Sequence, residues 1–197
     1  MHSICHDRKL AILLTKAFAG DGYFTHYFQP NCFGTLTRYN MFFDDVATRR
    51  RTGLVLREGP AVALVGLPPN ALFAPHNLSW TTKLFLRLQG KTYRSRWRRL
   101  WPAGHQQELV TCAYLSAIAC PAESRNRGIG TQLLRRVISA AVTRGLSIEC
   151  QVSSLELCRW YEKHGFRLID QNQCSSTFVT YDLRLDCGLA QSRRSLF

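Results

Sequence analysis

The stretch Arg125-Asn126-Arg127-Gly128-Ile129-Gly130 joins a strand-like run to a strongly periodic helical run. The strand-like run covers 114–120, and the helical run begins near Gly128. A loop in this position directs several backbone N–H groups and the positive end of a helix dipole at one point. Two glycines separated by one residue let the backbone approach a bulky phosphate, because no Cβ stands in the way. The stretch therefore predicts an anion site.

The better-known nucleotide loops do not fit this stretch. No Gly-Lys-Ser/Thr follows it, and Leu133 or a neighbour replaces the third glycine of a dinucleotide-binding loop. Arg125 and Arg127 add positive charge beside the glycines. The pattern indicates a pyrophosphate site without a nucleotide-transfer loop.

The segments around the loop predict a strand, a helix and a second strand. Residues 109–119 are the best candidate for a central strand. In that strand Leu115, Ala117 and Ala119 are predicted to face one side, and Tyr114, Ser116, Ile118 and Cys120 the other. The apolar face of the helix would carry Ile129, Leu133, Leu134, Val137, Ile138 and Ala141, with Gly145 ending it. Residues 146–152 then alternate like a strand, so a right-handed parallel crossover is the expected topology.

Elsewhere the chain predicts further helices and strands. The predicted helices are 7–18, 33–46, 71–101 and 153–164, the last opened by a Ser153-Ser154-Leu155-Glu156 capping box and carrying Leu157, Trp160 and Tyr161 on one face. The predicted strands are a hairpin of 52–57 and 61–66 and a closing antiparallel pair of 166–169 and 177–185. Only 2–5 could supply a strand before the first helix.

These residues resemble the GNAT superfamily of acyl-CoA-dependent N-acyltransferases. Its signature, Gln/Arg-x-x-Gly-x-Gly/Ala after the fourth strand, is filled by Arg125, Gly128 and Gly130. The run Trp160-Tyr161-Glu162-Lys163-His164-Gly165-Phe166 is similar to the aromatic-Tyr-x-Lys-x-Gly-Phe segment that follows the fifth strand of the family. The resemblance implies an α/β (α+β) fold, with a mixed, mostly antiparallel sheet that is splayed at the fourth strand and flanked by helices.

The resemblance also implies a cofactor and its contacts. Acetyl-CoA would be the acyl donor, and the splayed strand would pair with its pantetheine amides like an added strand. The implied contacts are the backbones of Ile118, Ala119 and Cys120 and the loop residues Arg125, Asn126, Arg127, Gly128, Ile129 and Gly130. Ser154 stands near the place where the family often has a cofactor-contacting Asn.

Two residues are candidates for the proton transfers. By resemblance Tyr161 is the general acid that protonates the leaving thiolate; the alternative is an aromatic ring in the core with its hydroxyl at the surface. Glu149 is the first candidate for the general base, followed by Glu108 and His105, or a water chain. No metal site is expected, because the eight cysteines form no Cys-x-x-Cys pair and most occupy apolar positions typical of small buried residues.

Length and composition indicate one globular domain. A chain of 197 residues that is 46% hydrophobic and 20% charged predicts a single domain over 1–187 and a loose tail over 188–197. No apolar run is long enough to span a bilayer and no secretory pattern opens the chain, which predicts a cytoplasmic protein without a membrane partner.

Charge supports an alternative function of another class. The net charge is +13, and no acidic residue occurs from Asn77 to Gly104, a basic segment that also contains Trp80, Trp97 and Trp101. The alternative is a nucleic-acid- or polyanion-binding protein on a catalytically silent scaffold, which is less favoured than an enzyme with a small-molecule or protein amine as acceptor. Acceptor identity stays open, as does oligomeric state, with a homodimer as one option.

Overall fold

The computed structural model describes residues 8–22, 53–68 and 112–187. Their helices are α1 Arg8–Ala17, α2 Ile129–Val142 and α3 Leu155–Glu162. Their strands are β1 Gly53–Glu58, β2 Ala61–Gly66, β3 Cys112–Ala119, β4 Ser147–Val152, β5 Arg167–Ser175 and β6 Phe178–Leu185. The predicted elements at 2–5, 33–46 and 71–101 and the predicted tail at 188–197 lie outside the described residues.

The described strands form one six-stranded sheet in the order β1-β2-β3-β4-β6-β5. Every neighbouring pair is antiparallel except β3 and β4, which are parallel. The predicted crossover is confirmed, since α2 lies between these two parallel strands in the chain. The predicted class is confirmed as well: a mixed, mostly antiparallel sheet flanked by helices.

One hydrophobic cluster packs α2 and α3 against the sheet. Four residues of α2 are buried in it, namely Leu133, Leu134, Val137 and Ala141. Ile148, Cys150 and Val152 of β4 join them, together with Cys158 and Tyr161 of α3. Leu10 and Leu14 of α1 are also buried, but they lie outside this cluster. Helix α1 nevertheless contacts β3, so it packs on the sheet away from α2 and α3. The two sides of the sheet are therefore covered by different helices.

A β-bulge changes the predicted faces of β3. Val65 pairs with Leu115 and Leu64 pairs with Ala117, so Ser116 is one extra residue in the ladder. Leu115 lies in the α2/α3 cluster, whereas Ala117 is buried outside it. The prediction that Leu115, Ala117 and Ala119 share a side is therefore wrong, because the extra residue reverses the alternation of side chains. Beyond the bulge Ile118 and Cys120, predicted for the opposite face, pack against the cluster.

Helix α3 begins one residue later than predicted. Ser154, not Ser153, is the N-cap, and its hydroxyl accepts a hydrogen bond from the N–H of Leu157 at 3.2 Å. Glu156 therefore stands one position too early to complete a capping box. The buried residues of the helix are Cys158 and Tyr161, while Leu157 is exposed. The prediction that Leu157 shares a face with Tyr161 is therefore wrong, since Cys158 is the residue buried beside it.

The closing hairpin is longer than predicted. β5 extends to Ser175 and pairs with β6 almost to the turn. The polar run Asp170-Gln171-Asn172-Gln173 gave no strand signal, because most of β5 is exposed at the edge of the sheet. Pairing with β6 holds these residues extended despite their low strand propensity.

None of the helices in the described segments is long and apolar enough to cross a bilayer.

Candidate active site

A wedge opens between β3 and β4. The two strands pair at Cys112 with Ser147, at Ala113 with Ile148 and at Tyr114 with Glu149, and no further. Beyond that point β4 follows β6 and β3 follows β2. The bulge at Ser116 begins where the pairing ends, which is consistent with its bending the strand away. This is the splay expected of the family's fourth strand, which is β3 in the described part of the chain.

Beyond Tyr114, the edge of β3 that borders the wedge is paired with no other strand that the structure describes. On its other side β3 keeps its ladder with β2 as far as Ala119. The N–H and C=O groups that point into the wedge beyond Tyr114 have no partner in β4. Such an edge accepts an extended ligand as an added strand. Ile118, Ala119 and Cys120, the predicted pantetheine contacts, lie along this edge.

The glycine loop stands at the open end of the wedge. Asn126 and Gly128 both have left-handed backbones, with φ of 60° and 76°. Gly128 is the N-cap of α2, and the first helical hydrogen bond runs from the N–H of Gln132 to the carbonyl of Gly128 at 3.0 Å. The N–H groups of the first residues of the helix, from Ile129 to Thr131, therefore have no acceptor within it. They form the kind of anion-binding end that the sequence predicts.

Space is open at both glycines of the loop. A Cβ placed on Gly128 or on Gly130 would meet no atom of the described residues within 4 Å, apart from neighbouring residues of the loop and helix. Gly128 is needed for its positive φ, which side-chain-bearing residues rarely adopt. Gly130 has an ordinary helical position, so its backbone does not require glycine. Backbone conformation therefore does not account for glycine at this position, and the space beside it is open.

Arg125 joins the loop to the end of α1. Its guanidinium donates to the carbonyl of Ala17 at 3.2 Å and, through Nε, to the carbonyl of Cys120 at 3.4 Å. On the other side of the wedge, the hydroxyl of Ser153 donates to the carboxylate of Asp21 at 3.0 Å. The residues after α1 therefore contact the loops that follow both splayed strands. Arg127 is exposed beside them.

Tyr161 lies beside the point where the strands separate. Its side chain is buried, with 6% of the residue exposed, and packs edge-on against Trp160 and Phe166 at centroid distances of 4.8 and 5.1 Å. Burial raises the pKa of its hydroxyl well above the ordinary value, and the nearby Cys150 raises it further. Cys150 is the first residue of β4 past the last pair with β3. The phenol therefore keeps its proton in the neutral range.

Glu149 is buried in an ion pair. Only 3% of the residue is exposed, and its carboxylate accepts a hydrogen bond from Arg184 of β6 at 3.2 Å. Arg184 also contacts Asp186, which in turn pairs with Arg167 of β5 at 2.7 Å. Arg184 is therefore the cationic partner of this buried carboxylate.

Asp182 is a second buried polar residue on this part of the sheet, and it was not among the site residues predicted from the sequence. Asp182 of β6 accepts hydrogen bonds from the side-chain amides of Gln151 and Asn172, both at 2.7 Å. Gln151 and Asp182 are cross-strand partners, as are Glu149 and Arg184. The alternation of residues in β4 placed Gln151 on the polar face, but only the strand order brings β6 beside it.

Two other predicted contacts have a limited structural description. The hydroxyl of Ser154 acts as the N-cap of α3, so one of its lone pairs is occupied by the N–H of Leu157. His105 and Glu108, the alternative bases, lie outside the described residues. The basic segment from Asn77 to Gly104 lies outside them too.

Comparison with known proteins points to the same family that the sequence motifs resemble. Residues 95–166 match the model of the acetyltransferase (GNAT) family. A search of curated proteins found no match. Solved structures are similar over about nine-tenths of the chain. Their sequences are 20% identical to this chain or less, so the similarity concerns the fold alone.

Three of these solved structures illustrate the similarity. The histone acetyltransferase HPA2 and related acetyltransferase of Corynebacterium glutamicum has a TM-score of 0.60 at 20% identity, over 89% of this chain and 88% of its own. The Drosophila melanogaster polyamine N-acetyltransferase has a TM-score of 0.56 at 16% identity, with coverages of 91% and 96%. An N-acetyltransferase from Staphylococcus aureus Mu50 has 0.52 at 17%, with coverages of 93% and 96%. The family match over 95–166 and the fold shared with these structures agree with the resemblance that the sequence motifs indicate.

Proposed function

We propose that the protein is an N-acetyltransferase that transfers the acetyl group of acetyl-CoA to a primary amine. The observation that carries the proposal is the meeting of two features at one place. The wedge between β3 and β4 opens toward the glycine loop, whose first helical N–H groups have no acceptor within α2. An extended ligand that ends in a pyrophosphate fits this pair of features.

The proposed binding mode follows the order of these features along the chain. The pyrophosphate lies against the loop from Arg125 to Gly130, where a residue larger than glycine would occupy open space. The pantetheine arm pairs with the main chain from Ile118 to Cys120. Ser154 at the start of α3 offers its hydroxyl proton as a further contact, since its N-cap role uses a lone pair.

Direct attack by the amine is favoured over an acyl-cysteine intermediate. Three cysteines lie near the wedge, and burial raises the pKa of each thiol: Cys120, Cys150 and Cys158. A thiol that keeps its proton is a poor nucleophile. The acceptor amine therefore attacks the thioester itself, forming the C–N bond as the C–S bond breaks.

Tyr161 and Glu149 are proposed for the two proton transfers. Tyr161 is protonated at neutral pH and lies beside the vertex of the wedge, so it can donate to the sulfur that leaves. Glu149, at the last pair of the parallel ladder, is the proposed base. Its burial means that a bound water or the amine itself must reach it there for proton transfer.

The acceptor is proposed only as a class. Among proteins with similar structures, one is described as a histone acetyltransferase and another as a polyamine N-acetyltransferase that forms N-acetylagmatine. The same fold thus serves different amines, and the choice depends on side chains rather than on topology. A primary amine on a small molecule or on a protein is the acceptor proposed for this chain.

Calorimetric titration with acetyl-CoA tests the cofactor site. We expect wild-type protein to bind and the Gly130→Leu variant to lose at least about tenfold in affinity, because the leucine side chain would occupy the proposed pyrophosphate space and its Cβ would meet no described atom within 4 Å. Ser139→Leu, an exposed position on the same helix, is the matched control and should bind normally. Equal affinity in wild type and Gly130→Leu would remove the loop from the proposed site.

A screen of amines with the wild type then tests the reaction. Release of free CoA that depends on both acetyl-CoA and a primary amine is the expected result. If acetyl-CoA binds but no amine class stimulates CoA release, the chain is a binding protein on this scaffold rather than an enzyme.

A further inference from the structure

One hydroxyl in the bulge of β3 has no hydrogen-bond partner. The Oγ atom of Ser116 is shielded from solvent and has no partner among the residues that the structure describes. A buried polar atom without a partner is destabilising, so such atoms are rare and call for a reason. The bulge itself does not need a serine, since its backbone geometry sets the extra residue.

Ser116 stands at the vertex of the wedge. It is the extra residue in the pairing of β3 with β2, two positions past Tyr114, where the pairing with β4 ends. It is also two positions before Ile118, where the proposed pantetheine contacts begin. With about 3.3 Å per residue along a strand, Ser116 lies ~7 Å from each.

The order of groups in acyl-CoA matches this order along β3. The pyrophosphate, the pantetheine amides and the thioester follow one another in the molecule. The loop, the edge from Cys120 to Ile118 and Ser116 follow one another toward the vertex. A ligand held at the first two positions brings its thioester to the depth of Ser116. Tyr161, which is close to Cys150 of β4, lies on the other side of the wedge at this depth.

The serine can present its hydroxyl to such a ligand. The residue as a whole is partly exposed, although its Oγ atom is not. A rotation about χ1 moves the hydroxyl to another staggered position without moving the backbone. Because the hydroxyl makes no hydrogen bond in its present position, the rotation breaks none.

We infer that the Ser116 hydroxyl donates a hydrogen bond to the carbonyl oxygen of the bound acyl thioester. The inference rests on the proposed acyltransferase function and adds a residue to it. When the amine attacks, negative charge develops on the carbonyl oxygen and then on the sulfur. Ser116 stabilises the oxygen from the β3 side, while Tyr161 donates the proton to the sulfur from the α3 side. Ser116 itself neither gains nor loses a proton.

The test compares two ligands that differ at the carbonyl. Acetyl-CoA and S-ethyl-CoA have similar shapes, but S-ethyl-CoA has a methylene in place of the carbonyl. Both are titrated calorimetrically, without acceptor, into wild type, Ser116→Ala and Ser116→Thr. We expect the wild-type preference for acetyl-CoA to fall by about 3- to 10-fold in Ser116→Ala, as for one lost hydrogen bond, and to persist in Ser116→Thr, which keeps the hydroxyl.

A second readout separates this role from a structural one. Infrared spectra of bound acetyl-CoA labelled with ¹³C at the carbonyl report the strength of its hydrogen bonds. We expect the stretching frequency to fall on binding to wild type and to fall less in Ser116→Ala. Ser139→Ala, the same change on an exposed face of α2, is the matched control and should behave like wild type.

The outcomes distinguish this inference from the proposed function. If wild type binds both ligands and Ser116→Ala keeps the same preference and frequency, the inference is wrong while the cofactor site stands. If wild type binds neither ligand, the proposed function is wrong and the inference falls with it. Ser116→Gly, which bulges tolerate, replaces Ser116→Ala should the alanine variant not fold.

Discussion

Tyr161 combines a packed ring with a hydroxyl that keeps its proton. The ring lies edge-on between Trp160 and Phe166, and burial is the main cause of its raised pKa. The alternative to a general acid that the sequence leaves open is a core ring with its hydroxyl at the surface; the ring does lie in the core, but burial raises the pKa of the hydroxyl. The packing holds the ring in place, and the proton is available for transfer in the neutral range.

Substitution of Tyr161 by Phe tests the acid. We expect kcat to fall by about 10²- to 10⁴-fold, the usual contribution of a positioned acid, with the affinity for acetyl-CoA unchanged. The free energy of unfolding should change by less than about 1 kcal/mol, because the ring contacts are retained. Steady-state kinetics with an active amine and thermal unfolding measure the two effects. A variant with wild-type kcat would assign Tyr161 to the core alone.

The raised pKa of Tyr161 predicts how the stability of the protein depends on pH. Its pKa is higher in the folded protein than in the unfolded chain, so the folded state binds the proton more tightly. This contribution to stability is present below about pH 10, the ordinary tyrosine pKa, and is lost as pH rises above it. Unfolding by denaturant at a series of pH values should show this loss in wild type and a smaller one in Tyr161→Phe. Identical profiles would contradict the raised pKa.

Glu149 makes a separate prediction. Glu149→Gln keeps the size of the side chain but cannot accept a proton, and we expect kcat/KM to fall by about 10²-fold at neutral pH. Arg184→Met is the comparison, because it breaks the ion pair while the carboxylate remains; breaking such a buried pair destabilises proteins by about 3–5 kcal/mol. If Glu149→Gln lowers stability but leaves the rate of the folded enzyme unchanged, the residue is structural.

At the scale of single residues, the sequence indicates which residues are candidates for the site, but not which residues bury them or pair with them. Tyr161 and the loop glycines follow from a motif, because their spacing is local. The burial of Glu149 and its pairing with Arg184 do not, since these residues are brought together by the pairing of β4 with β6. Ser116 gives no signal at all in the sequence. A bulge depends on how two strands align, and no local pattern specifies it.

Among the elements, α2 is defined at both ends by glycines with positive φ. Gly128 is its N-cap, and Gly145 follows its last turn with φ of 65°. In the part of the chain that the structure describes, no atom beyond the immediate neighbours lies within 4 Å of a Cβ added at either glycine. The two positions therefore share the same backbone requirement but differ in their distance from the proposed cofactor site.

This pair of glycines gives a matched experiment. We expect Gly128→Ala and Gly145→Ala each to destabilise the protein by about 1 kcal/mol, since alanine is strained at positive φ. Only Gly128→Ala should also weaken acetyl-CoA binding, because it alters the loop. Denaturant unfolding and calorimetry of both variants measure the two effects. Equal weakening by Gly145→Ala would indicate a general loss of structure instead of a local site.

Element boundaries depended on tertiary pairing wherever the local signal was weak. The hairpin of β1 and β2, helix α2 and strand β4 have strong periodicity and lie where the sequence predicts them. β5 extends through a polar run because its backbone pairs with β6. α3 begins at Leu155 with Ser154 as its N-cap, since that hydroxyl accepts a hydrogen bond from the N–H of Leu157.

On the scale of the whole molecule, the net charge of +13 gives the last prediction. We expect a labelled single-stranded oligonucleotide to bind weakly and with steep salt dependence, and Gly130→Leu to leave that binding unchanged. Removing the cations between Lys83 and Arg99 should abolish it. Fluorescence anisotropy at several salt concentrations is the measurement. Tight binding that survives physiological salt would favour the polyanion-binding alternative over the enzyme.

The sequence by itself determined the elements around the loop and the position of the proposed anion site, and its motifs carried the family resemblance that implies the fold class and the proposed acid. Each depends on local spacing: glycines at a helix start, hydrophobic periods of two and 3.6, and a motif within one helix. Only the tertiary structure decided the wedge between β3 and β4, the reversal of faces beyond Ser116 and the buried pair of Glu149 with Arg184. These features arise from the alignment of strands that are distant in the chain, and that alignment is set by packing of the whole sheet.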